Sequence, residues 1–119
     1  MKKIIVLAVA LFLALPTVSF SYDGIVSGYI TNVRVRLNNN GTDTNILVLE
    51  DTMSNPGSCS DPSWYVLVMD GTETPQAIYK TILLASTLGY EIKFELTGCH
   101  NGGTTGAPLI TGSWIVPNQ

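Results

Sequence analysis

One stretch of this chain, TETPQAIYKTILLASTLGY over residues 72–90, carries a helical period, while the segments around it alternate or turn. Ala77, Ile78, Thr81, Ile82, Ala85 and Leu88 fall on one face at helical spacing. Thr74 is a natural N-cap, and Pro75 suits the first helical position, where a missing N–H costs nothing. Gly89 suits the left-handed residue that ends a helix. The pattern predicts one helix over residues 75–88. A single helix in a small domain must pack on strands, and this restricts the fold to a mainly β architecture.

The strands follow from period-two alternation. In residues 24–37, GIVSGYITNVRVRL, Val33, Val35 and Leu37 alternate with Arg34 and Arg36. Val26, Gly28 and Ile30 alternate in the opposite phase, so the strand must contain a bulge or bend near Thr31 and Asn32, or at Gly28. NNNGTDTN (38–45) is a turn by composition, and ILVLE (46–50) is a short apolar strand. After a loop with Pro56, Gly57 and Pro62, WYVLVM (64–69) is apolar on both faces. Beyond the helix, YEIKFEL (90–96) alternates cleanly, and PLITGSWIV (108–116) is the last strand. The order β-β-β-α-β-β predicts an OB-fold-like five-stranded barrel in which the bent first strand serves both halves. Another small α+β sandwich with this element order is the alternative.

The first 21 residues read as a signal peptide. Lys2 and Lys3 precede twelve apolar residues, 4–15, then Pro16 and a small-residue site at Ser19 and Ser21. The run is short for a membrane span, which needs about 20 residues. Residues 22–119 then form a single domain, periplasmic or secreted, with no membrane span of its own. The domain keeps Arg34, Arg36, Lys80 and Lys93 against nine acids, a net 4 − 9 = −5. So few cations cannot neutralise a phosphate backbone, which argues against nucleic acid. In an oxidising compartment Cys59 and Cys99 read as one disulfide. Closing that loop would contribute about 4 kcal/mol in the chain-entropy picture.

Reactive chemistry finds little to use. His100 is the only histidine, and its neighbour Cys99 would point away from it on a strand and is expected to be oxidised. Cys59, Cys99 and His100 are one ligand short of a structural zinc site, so neither a metal nor a cofactor is expected. Glu91 and Glu95, with Lys93 between them, read as a solvated row. Glu50, Asp51 and Asp61 lack the spacing of a calcium loop. Asn40-Gly41-Thr42 fits a glycosylation sequon but also a hairpin turn. The chain is expected not to be an enzyme.

Recognition is better supplied. Aromatics are frequent, and Trp64 and Tyr65 are adjacent strand residues, so only one of them can be core. Tyr79 lies off the helix's apolar stripe, which predicts exposure or burial against a partner. An OB-type barrel binds on its second and third strands and on the loops joining strands one to two and four to five. Those loops are rich in Asn, Gly and Thr. The candidate ligand-binding residues are therefore Asn38, Asn40, Asp43, Trp64, Tyr65, His100, Asn101 and Thr104.

The stretch GYITNVRV, with TPQAIYKTILLASTLGYEIKFEL later, resembles the B subunits of bacterial AB5 toxins of the subtilase-cytotoxin and pertussis-like kinds. Gly89, Ile92 and Phe94 follow their G-x-x-[VI]-x-[VIF] strand after the helix. The layout is equally similar to small uncharacterised exported bacterial proteins. The toxin resemblance implies an OB fold, a disulfide, a ring-shaped homo-oligomer and a cell-surface glycan as ligand, but it carries no sugar-binding residue onto a position here. Together these readings predict an exported, non-enzymatic binding module for a glycan. A periplasmic protein that binds or inhibits another protein is the alternative.

Overall fold

The computed structural model describes residues 23–37 and 41–117. The expected signal peptide, Asn38 and Asn40 lie outside the described residues. Among the described residues six strands and one helix form: β1 Gly24–Gly28, β2 Ile30–Leu37, β3 Thr44–Glu50, β4 Tyr65–Met69, α1 Glu73–Leu88, β5 Glu91–Cys99 and β6 Pro108–Val116. The fold is mainly β with one helix between the strands of WYVLVM and YEIKFEL. The strand count is six because the first long strand breaks at Tyr29 into β1 and β2. The phase switch has a second trace, a register shift in the β2–β3 ladder between Ile30 and Asn32.

The strands form one sheet in the order β1-β5-β6-β4-β3-β2, antiparallel except where β4 meets β6 at Val66 and Leu109. This ladder is not a closed barrel: its end strands are β1 and β2, and they are joined through the chain at Tyr29. Asp51 brackets that joint. Its carboxylate accepts the Tyr29 N–H at 2.9 Å, and its own N–H donates to the Tyr29 carbonyl at 3.0 Å. Gly28 precedes the joint because a Cβ there would lie 2.6 Å from Asp51 Oδ1 and 2.7 Å from Glu50 Oε2.

α1 starts two residues earlier than Pro75 suggests. Thr72 takes the N-cap position without a side-chain cap, because its hydroxyl bonds Asp70 Oδ1 at 2.5 Å. Pro75 then sits in the first turn, where backbone N–H groups lack helical partners and its ring is tolerated. Gly89 ends the helix in the left-handed region at φ 70°. Ile78, Ile82 and Ala85 are buried, while Leu88 is 50 % exposed. Tyr79 is neither exposed nor free: it is half-buried and packs against the edge of the main core.

The main core joins Val26, Ile46, Val48, Tyr65, Leu67, Ile92, Phe94, Leu96 and Ile110 to the buried helix face. Tyr65 and Phe94 are fully buried and meet edge to face, with centroids 5.9 Å apart. A second, smaller cluster lies on the opposite face of β3 and β4, formed by Leu47, Val66 and Ala107 with Trp64 and Val68 against it. This cluster explains why WYVLVM is apolar on both faces. Among the described residues, no helix is long and apolar enough to cross a membrane.

Candidate functional site

The second cluster forms the floor of the candidate site. β3 turns Ile46 and Val48 to the core, so Asn45, Leu47 and Leu49 face outward. Across the ladder Asn45 pairs with Arg36 and Val68, and Leu47 with Arg34 and Val66. Two rows therefore cross the three strands side by side, Arg36–Asn45–Val68 and Arg34–Leu47–Val66, each with an arginine at its β2 end.

The loop 99–107 covers one end of this face, and its placement is over-determined. The Cys59–Cys99 disulfide ties its base to the 51–64 loop, with the two Cα atoms 5.7 Å apart. Ser60 N–H donates to the Thr104 carbonyl at 2.8 Å, and Asp61 N–H to the Gly106 carbonyl at 3.0 Å. Gly106 N–H returns a bond to Ser60 Oγ at 2.9 Å. Asn55 completes the anchor by bonding both the N–H and the carbonyl of Cys59 at 2.8 Å. Gly106 needs to be glycine: its φ is +93°, and a Cβ would lie 3.1 Å from the Asn101 backbone nitrogen.

Under this loop lies a pocket of about 130 Å³, with Leu47, Val66 and Ala107 on its apolar side. Arg36, Asn45, Asp61, His100 and Asn101 supply its polar side, and Trp64 forms one wall. A second pocket of about 120 Å³ lies on the other side of Trp64, lined also by Asn32, Arg34, Leu47 and Leu49. Trp64 is thus the shared wall of two hollows, each with an arginine at its margin.

Inside the first pocket Asn45 is only 6 % exposed. Its Nδ2 lies 3.3 Å from His100 Nε2. An amide nitrogen can only donate, so Nε2 accepts, and the proton of the neutral imidazole sits on Nδ1. Both Asn45 Oδ1 and His100 Nδ1 are buried without a hydrogen-bond partner. Buried polar groups are rarely left so, and these two belong to side chains that line the same pocket.

The site gathers part of the set expected from sequence. Trp64, His100 and Asn101 line the first pocket. Tyr65 does not belong there: it is fully buried, and its hydroxyl accepts the Ser54 N–H at 2.8 Å. Of the Trp64–Tyr65 pair, Tyr65 took the core position because its parity matches Leu67. Thr104 is exposed and contributes its carbonyl to the loop anchor, while half-buried Asp43 lines neither pocket. Asn45, Arg34, Arg36 and Asp61 were absent from the expected set. Asn45 carried a readable signal, since it stands in phase with Leu47 and in register with the outward arginines.

Proton chemistry is concentrated elsewhere. Glu50 faces the interior, and burial, followed by the negative charges of Asp51 and Glu91, raises its pKa to about 8. Burial likewise raises Tyr65, whereas hydrogen bonds from Thr72 lower Asp70. Among the described residues no three His, Cys, Asp or Glu side chains gather where they could hold a metal ion. The pocket offers stacking, apolar contact and hydrogen bonding. Compared with known proteins, the chain matches no family model, no curated protein and no solved structure at a significant level.

Proposed function

We propose that this chain is an exported, non-enzymatic binding module that holds a carbohydrate against Trp64. The observation that carries the reading is Trp64 standing between two hollows, with Asn, Asp, His and Arg side chains around it. An indole face stacks on the apolar face of a sugar ring, and convergent amide, carboxylate and guanidinium groups bond its hydroxyls. The strand order, the parallel β4–β6 contact and the first strand shared between both ends support an OB-fold-like framework. In such a framework this face and the 99–107 loop are the customary binding surface. The disulfide supports export, in line with the leader expected at residues 1–21. Exposed Leu83, Leu84 and Leu88 on α1 support self-association like that of a toxin B subunit.

A glycan array read with the mature protein, with light scattering on the same sample, tests the proposal. Binding that disappears in Trp64→Ala is the expected result. A folded protein silent across the array refutes it. A protein ligand without a carbohydrate role is favoured by one observation: among the described residues β2 pairs only with β3, and its Val35 and Leu37 are 56 % and 66 % exposed. Recurrent co-purification of a single envelope protein, unaffected by Trp64→Ala, would establish that reading instead.

A further inference from the structure

We propose that the joint at Tyr29 is a proton-operated latch: it holds while Glu50 is protonated, and β1 peels from β5 when that carboxyl ionises. Glu50 ends β3 opposite Ile30, where the β2–β3 register shifts. Its carboxyl is buried, and neither oxygen has a hydrogen-bond partner. Gly28 closes over it. A Cβ on that glycine would lie 2.7 Å from Glu50 Oε2 and 2.6 Å from Asp51 Oδ1, so both carboxylates converge on the backbone of the joint. Asp51 in turn holds Tyr29 through hydrogen bonds of 2.9 and 3.0 Å.

The groups around Glu50 favour its neutral form. Burial acts first, and the negative charges of Asp51, just beyond β3, and Glu91, at the start of β5, add to it. β4 brings the Tyr65 hydroxyl, which is taken by the Ser54 N–H. β1 carries no charged residue, and the buried face of α1 is Ile78, Ile82 and Ala85. Arg34 and Arg36 of β2 line the two hollows on the opposite face of the sheet. Tyr29 itself is half-exposed. An ionised Glu50 therefore has no neighbouring cation to pair with and must be reached by water. Moving β1 is the cheapest way to admit water. Among the described residues this strand is five residues long, pairs only with β5, and gives the main core one buried side chain, Val26. β3, β4, β5 and β6 each have a neighbour on both sides. Releasing Gly28 and Tyr29 with β1 uncovers Glu50 and leaves the other five strands in place. The latch is tighter in mildly acidic surroundings than in alkaline ones.

Hydrogen exchange of single backbone amides, read by NMR on the mature protein from about pH 5 to about pH 8 and corrected for the intrinsic rate, tests the latch. The amides bonded across the β1–β5 ladder, with those of Tyr29 and Asp51, are expected to be less protected than amides in the middle of β3. Their protection should also fall about tenfold per pH unit, because Glu50 titrates near its ordinary 4.5 once uncovered and at about 8 when covered. Amides at the C-terminal end of α1, which can fray without uncovering Glu50, should show constant protection. Glu50→Gln should flatten the β1 response. Asp51→Asn keeps an acceptor for the Tyr29 N–H but removes a repelling charge, and should move the upper end of the response to lower pH. β1 amides as protected as those of β3 would mean that they open only with the whole domain. A β1 protection that does not change with pH would mean that opening leaves Glu50 covered. Either result overturns the proposal.

Discussion

Glu50 sets a stability profile that runs opposite to that of an ordinary surface carboxylate. It shares its strand face with Ile46 and Val48, is 5 % exposed, and has no hydrogen-bond partner for either oxygen. Its pKa rises from 4.5 to about 8 because burial disfavours the charged form and Asp51 and Glu91 repel it. Below pH 4.5 the carboxyl is protonated in both the folded and the unfolded chain and costs nothing. Between pH 4.5 and about 8 the unfolded chain releases the proton while the folded chain keeps it, so stability falls as pH rises. Each pH unit in that window costs about 1.4 kcal/mol, which amounts to roughly 3 kcal/mol by pH 7 and on the order of 5 kcal/mol above pH 8. Against the 5–15 kcal/mol typical of a domain, this is a large share. Glu50→Gln keeps the shape and removes the charge. Urea unfolding of both proteins from pH 4 to pH 9 should give matching stabilities at pH 4. The variant should then gain steadily, reaching several kcal/mol at pH 9. Titrating groups that do not interact with Glu50 cancel in the difference between the two proteins. Parallel curves from pH 5 to pH 8 would refute the buried-acid argument, and so would a variant less stable at pH 8.

Three further perturbations test other parts of the framework. Replacing Cys59 and Cys99 with alanine opens a loop with a sequence separation of 40 residues, and should cost about 4 kcal/mol and lower Tm by roughly 15–30 °C; an unchanged Tm would count against the bridge, as would an intact mass without a two-hydrogen deficit. Phe94→Ala empties the centre of the main core and removes the edge-to-face contact with Tyr65, with an expected loss of about 3–5 kcal/mol in chemical denaturation. Gly89→Ala forces a Cβ into the left-handed helix end and should cost on the order of 1 kcal/mol, measurable as a lower urea midpoint at constant m.

Legibility in the sequence follows the range of the interactions involved. The helix was readable because its end signal is a single residue, Gly89, and its stripe of Ile78, Ile82 and Ala85 is local. Its start was misplaced because Thr74-Pro75 imitates a cap, while the Asp70–Thr72 turn one step upstream governs. The break in the first strand was readable from the phase of Val26 against Val33, and the structure places it at Tyr29. The failure of the ladder to close could not be read, because it depends on how β1 and β2 lie across the whole molecule. Trp64 and Tyr65 could be assigned to opposite faces but not sorted, since both faces of β4 are apolar. Asn45 was passed over because turn composition claimed it, although it belongs to β3. Its significance comes from His100, 55 positions away, and no local pattern joins the two.

The joint at Tyr29 has a consequence for when the chain can acquire its shape. β2 finds its partner early, since Ile30 pairs with Glu50, but β1 must wait for β5, because Gly24 pairs with Leu96. Contacts of such sequence separation form slowly, since the long intervening segment must be closed before they contribute. On a ribosome the first strand therefore has no lasting place to go until most of the chain has been made. A nascent chain therefore keeps β1 unpaired late into synthesis, even after β2 has found β3.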